Sequence, residues 1–174
     1  MSSFSGYLLK LDSPKRRPPR RFLFFILCYT ASMKIFIKRI DKSLPLPEYK
    51  TAGATAFDFS AREKTIILPK SVGYIPLNVV IKVPAGYVLQ IFPRSSTHKK
   101  GLLMANSVGI IDLDFCGDND EIKAAYYNFT DNEVIIERGD RIAQGIIKKI
   151  ESVEWEEKEK MEFENRGSFG TTGF

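Results

Sequence analysis

The chain has 174 residues, enough for one domain with an ordinary core, and 44% of them are hydrophobic. Its formal charge of +5 sits at one end: residues 1–32 hold six of the 26 basic residues and one of the 21 acids, which leaves twenty of each beyond. A charge-balanced domain argues against nucleic-acid binding as its main work, and two cysteines with one histidine supply neither a disulfide framework nor a zinc set.

Along the chain, Lys15 to Arg21 precede an apolar run from Phe22 to Tyr29 and the small residues Ala31 and Ser32, the order of a secretory signal. That run is too short to span a bilayer. Met33, followed by Lys34-Ile35-Phe36-Ile37-Lys38, reads instead as a start of translation leading into a first strand. This second reading is preferred, because nothing downstream has a secreted character and the two cysteines, Cys28 and Cys116, suit a reducing compartment. The expectation is a cytoplasmic protein, nuclear if eukaryotic, with no stable membrane association.

From Met33 onward, short apolar or alternating runs are broken by turn residues. Strands are predicted at 34–39, 56–61, 65–68, 79–83, 87–92, 122–128, 134–137 and 142–150. Between them lie Pro69-Lys70-Ser71, Pro84-Ala85-Gly86, Asp118-Asn119-Asp120 and Arg138-Gly139-Asp140, all good turn chemistry. Many short, evenly spaced strands argue for an all-β barrel or sandwich. One short helix is predicted after Arg94, capped by Ser95 or Ser96 and stopped by Gly101. The domain is placed at 33–160, after an extension over 1–32 that stands outside the fold. A Gly- and Thr-rich arm, expected to be mobile, follows over 161–174.

Five segments carry chemistry: 52–61 (AGATAFDFSA), 93–96 (PRSS), 106–117 (NSVGIIDLDFCG), 138–144 (RGDRIAQ) and 166–173 (RGSFGTTG). Asp112 closes an apolar strand before an expected hairpin, where a plain turn aspartate is the usual reading. A calcium loop starting there fails, since its twelfth position is Lys123 rather than a bidentate Glu. Arg94, Ser95 and Ser96 at a helix start suit an anion, although a simple cap is as common. Asp58, after an apolar alternation, is an odd interior residue without a partner. Gln144 suits a phosphate contact or a structural amide, while Asp140 and Arg141 read as braces for their turn. The last segment lacks the Gly-Lys-Ser/Thr of a Walker loop and by composition is a tail.

In this order and spacing the five segments resemble the five motifs of the trimeric dUTP pyrophosphatases, over essentially all of Met33 to Phe174. The resemblance implies a distorted jelly-roll-like β-barrel with one short helix, assembling as a homotrimer with shared active sites. It implies hydrolysis of dUTP to dUMP and pyrophosphate with Mg2+, supplying dUMP for thymidylate synthesis and keeping uracil out of DNA. Asp112 inherits the role of general base for the attacking water, and Asp58 that of ordering waters around a magnesium held mainly by the triphosphate. Arg94, Ser95, Ser96 and Gln144 fall to the phosphates. Asn106, Gly109, Ile110, Ile111 and Lys123 fall to uracil, largely through backbone groups. Phe115, where the family usually has Tyr, packs under the deoxyribose and rejects a 2′-hydroxyl. Arg166 falls to the γ-phosphate and Phe169 stacks on uracil, with Gly167 and Gly170 allowing close approach of the arm. Cys116 replaces a commonly basic residue, Asp118-Asn119-Asp120 lengthens the hairpin, and Ser168 stands where Gly is usual.

Two other readings were weighed. A dCTP deaminase of the same fold needs a catalytic Glu three residues before Asn128, where this chain has Ala125. A non-catalytic dUTP-binding module would show erosion at Asp112, Asp58 or the arm, and none is eroded.

Overall fold

The computed structural model describes residues 33–168. The extension over 1–32, and the arm residues Phe169 and Gly170, lie outside the described residues. Eleven strands form in chain order among the described residues: β1 (Phe36–Arg39), β2 (Phe57–Ser60), β3 (Thr65–Ile67), β4 (Val72–Pro76), β5 (Val79–Lys82), β6 (Tyr87–Pro93), β7 (Leu102–Met104), β8 (Gly109–Ile111), β9 (Lys123–Asn128), β10 (Val134–Ile136) and β11 (Arg141–Lys149). Apart from one short helical turn, the regular structure of the described residues is all-β, as expected. Hydrogen bonding divides the strands into four sheets, with orders β1-β5, β10-β3, β2-β11-β6-β8 and β4-β9-β7. All pairings are antiparallel.

The four-stranded sheet positions the site. Its centre is the long pairing of β11 with β6, from Ala143 opposite Pro93 to Lys149 opposite Tyr87. One face of this sheet, with Phe59, Ala143, Leu89 and Ile91, is buried in the core beside Ile67, Ile75, Leu77, Ile122 and Tyr126. Each Leu, Ile and Phe among them contributes about 1.5–3 kcal/mol by leaving water. Gly145 is the tight point of the layer. A Cβ there would lie 2.6 Å from a Phe59 ring carbon and 2.9 Å from one of Phe57, two rings that meet edge to face at 5.3 Å. The Tyr126 hydroxyl donates to the Ile142 carbonyl at 2.8 Å, and burial pushes that phenol above its ordinary range.

The short helix resolves as one 3-10 turn, Thr97–Lys100, stopped by Gly101 at φ 80°. Ser96 holds the cap position without a side-chain cap bond, and the Ser95 and Ser96 side chains are exposed. The expected hairpin after Asp112 is not formed. β8 pairs with β6 while β9 pairs with β4 and β7, so residues 112–122 link two sheets instead of turning back on one. The last strand ends at Lys149, and residues 151–168 are exposed and irregular, so the extended segment begins ten residues before the composition boundary at 161.

Candidate active site

The phosphate-binding candidates meet on one face of the four-stranded sheet. Asp58 on β2 faces Gln144 on β11, and Gln144 faces Phe92 on β6, two residues before Arg94. Side chains two apart on a strand share a face, so Arg94 continues that row as β6 ends. The Asp58 carboxylate is only 12% exposed and both of its oxygens are occupied. Oδ1 accepts from Arg94 Nε at 3.1 Å and Oδ2 from Arg141 Nη1 at 3.0 Å. Arg94 Nη1 also donates to the Arg141 carbonyl at 3.2 Å. A largely buried carboxylate with two guanidiniums is thus fully paired, which answers the question its position raised in the sequence. Gln144 Nε2 donates to the Pro93 carbonyl at 2.9 Å and braces the residue before Arg94.

The turn residues behave differently from one another. Arg138 reaches Asp41 at 2.6 Å and Ser43, and this guanidinium together with Ser43 holds the Asp41 carboxyl well below the usual carboxylate range. Asp140 pairs with Lys100 at 2.9 Å. Arg141, expected to brace the turn, reaches across to β2 instead. No simple strand alternation announces this, because β11 carries a register shift between Arg141 and Ala143.

The pyrimidine candidates lie along the free edge of the same sheet, Gly109 opposite Ile91 and Ile111 opposite Leu89. β8 is the edge strand of its sheet, so alternate backbone N–H and C=O groups of Gly109, Ile110 and Ile111 face away from β6. Asn106 precedes it in an exposed turn. Asp112 follows directly, exposed and in no side-chain hydrogen bond or ion pair among the described residues. Phe115 is 39% exposed. Lysines of the β1-β5 ribbon tether the loop. Lys82 Nζ donates to the Leu113 carbonyl at 3.4 Å and lies 3.3 Å from Cys116 Sγ, and Lys38 pairs with Asp118 at 2.8 Å. Lys123 is exposed at the start of β9. Arg166 sits in the exposed terminal segment.

Within one chain Asp112 and Arg94 stay apart. Ile111 faces Leu89, and Arg94 lies five residues beyond Leu89, just past the end of β6. At about 3.3 Å per residue, Asp112 and Arg94 are roughly 17 Å or more apart. Asp112 and Arg94 therefore do not converge within one chain.

The family model described as dUTPase matches residues 42–173. The chain belongs to the dUTPase family. Among similar dUTPases, the deoxyuridine 5'-triphosphate nucleotidohydrolase of Helicobacter pylori strain J99 is 38% identical over 144 residues, spanning 81% of this chain and 97% of the relative. That of Finegoldia magna is 41% identical, spanning 79% and 99%. The crystal structure of the Streptococcus mutans dUTPase superposes with a TM-score of 0.63 at 33% identity, covering 68% of this chain and 98% of that one. A dUTPase of Staphylococcus bacteriophage 80alpha shares the fold, with a TM-score of 0.70 over 82% of this chain. No helix among the described residues is long and apolar enough to cross a membrane.

Proposed function

We propose that this chain hydrolyses dUTP to dUMP and pyrophosphate at sites assembled between subunits of a homotrimer. The observation that carries the reading is the separation of Asp112 from Arg94. A base must stand within hydrogen-bond reach of the water it activates, and a phosphate-binding arginine must touch the same triphosphate. One chain cannot bring both to one phosphorus, whereas a neighbouring chain can supply the missing half. The family membership and the exposed state of Asp112 support the same assignment.

In this reading Asp112 takes a proton from a water attacking the α-phosphorus, and the bond to the pyrophosphate oxygen breaks. Arg94, Ser95 and Ser96 of a neighbouring chain bind the α- and β-phosphates. The Gln144 amide holds the backbone before Arg94 and presents its remaining N–H. Uracil adds to the free edge of β8, where backbone donors and acceptors match its N3–H and carbonyls. Cytosine would leave those groups unpaired, and such a mismatch in a site built for hydrogen bonding is costly. The Phe115 ring packs under the deoxyribose. Arg166, Phe169 and Gly170 close over the nucleotide from the terminal arm.

Among the described residues, no three His, Cys, Asp or Glu side chains gather where they could hold an ion. Asp58 is occupied by two guanidiniums. A magnesium ion would therefore arrive on the triphosphate and keep its waters, and Asp58 would order those waters only by giving up one of its two guanidinium contacts. When bound, such an ion neutralises charge on the departing pyrophosphate. The activity would supply dUMP for thymidylate synthesis and keep uracil out of DNA. Purified protein with dUTP and magnesium is expected to release pyrophosphate, and Asp112→Asn to lose about 10²–10⁴-fold in kcat. Full activity in that variant would remove Asp112 from the role of base.

A further inference from the structure

We propose that Arg141 is a second triphosphate-binding cation of this site, held beside Arg94 by Asp58; the assignment rests on the dUTP-hydrolase reading above. The first support is the register of β11. Arg141 and Gln144 are three residues apart, and regular alternation would put them on opposite faces of the sheet. The shift between Arg141 and Ala143 instead sets Arg141 opposite Ser60, while Gln144 stays opposite Asp58. Ser60 and Asp58 are two apart on β2, so the bulge brings Arg141 onto the face that carries Asp58, Gln144 and Arg94. Bulges re-aim side chains in this way next to functional sites.

The second support is the use of donors. Arg94 commits Nε to Asp58 and Nη1 to the Arg141 carbonyl. Arg141 commits only Nη1, and its Nε and Nη2 have no acceptor among the described residues. Its side chain is 43% exposed, against 26% for Arg94. Arg141 thus stays more exposed than Arg94 and leaves most of its fork without an acceptor among the described residues. The third support is charge. Two guanidiniums on one carboxylate leave a net positive site, and without Asp58 the two cations would repel each other. Phosphate oxygens complete such a fork in planar, bidentate geometry. Gln144, the other polar residue of the row, has its amide nitrogen on the Pro93 carbonyl, which leaves Arg141 as the freer phosphate contact.

The test measures binding of α,β-imido-dUTP and of deoxyuridine to wild type, Arg141→Gln and Arg141→Lys by titration calorimetry. Arg141→Gln is expected to weaken the triphosphate analogue about 10–100-fold, the range for charge-assisted hydrogen bonds, and to leave deoxyuridine within about threefold. Arg141→Lys keeps the charge without the fork and should recover part of the loss. Thermal unfolding of each variant checks that the fold persists. Unchanged affinity of Arg141→Gln for the analogue overturns the assignment, and so does a loss shared equally by deoxyuridine, which marks distortion of the sheet. Wild-type protein that does not hydrolyse dUTP refutes the function itself. Active wild type with an indifferent Arg141→Gln refutes only the arginine.

Discussion

Asp58 Oδ1 and Arg94 Nε are 3.1 Å apart, joining the second strand to the end of the sixth across β11. The carboxylate is 12% exposed and its other oxygen serves Arg141. Replacing it by an amide removes the anion between two cations and releases both. Asp58→Asn is expected to lower kcat/KM for dUTP about 10–100-fold, as loss of charge-assisted bonds does. Steady-state pyrophosphate release measures this. Unaltered kinetics would show that the arginines keep their positions without it.

Gly145 lies between two phenyl rings that leave no room for a methyl group. Gly145→Ala is expected to destabilise the fold by about 1–3 kcal/mol, the usual cost of overpacking. A denaturant midpoint that falls at unchanged slope is the signature. An unshifted midpoint would mean that Phe57 and Phe59 move aside freely.

Acid stability follows from Asp41. Its carboxyl is held below the ordinary value of 3.8 chiefly by Arg138, then by Ser43. A carboxylate with a depressed native pKa contributes stability above its unfolded pKa, and that contribution is lost as pH falls through the native value. Wild type is therefore expected to lose stability below about pH 4, and Asp41→Asn to show a shallower slope in that range. Denaturant midpoints between pH 2 and 6, about one unit apart, measure the slopes. Identical slopes would contradict this origin.

Sugar discrimination rests on the face of one ring. Phe115→Tyr is expected to preserve the preference for dUTP over UTP, because the ring face rather than its edge does the packing. Phe115→Ala should narrow that preference about tenfold or more. The ratio of kcat/KM values for the two nucleotides measures it, and an unchanged ratio in the alanine variant would move discrimination elsewhere.

Alternation and turn residues disclosed eight strands with ends accurate to within two residues, because most were framed by Pro, Gly or Asp. β4 escaped because its run, Val72-Gly73-Tyr74-Ile75-Pro76, holds a glycine and ends on a proline, the usual marks of a loop. β7 spans three residues and takes its pairing from β9, not from its own pattern. The hairpin expected after Asp112 does not form, for a related reason. The turn at 118–120 is real, with the Asp120 amide donating to the Gly117 carbonyl at 3.0 Å, but which sheet each flank joins depends on distant strands. Asp58 was legible as a carboxylate in need of a partner. Its partners were not, since Arg141 arrives through a bulge that a two-residue period cannot reveal. The distance from Asp112 to Arg94 was equally hidden, because it follows from the pairing of β6 with β8.

The shared site is tested most directly by complementation. Asp112→Asn and Arg94→Gln proteins are prepared separately, then unfolded together and refolded in equal amounts. If every site takes its base from one chain and its arginine from another, random assortment in a symmetric ring restores both wild-type groups at about a quarter of the sites. The mixture should then show roughly a quarter of wild-type dUTP hydrolysis. A mixture no more active than its two inactive parents would place base and arginine on the same chain and contradict the account.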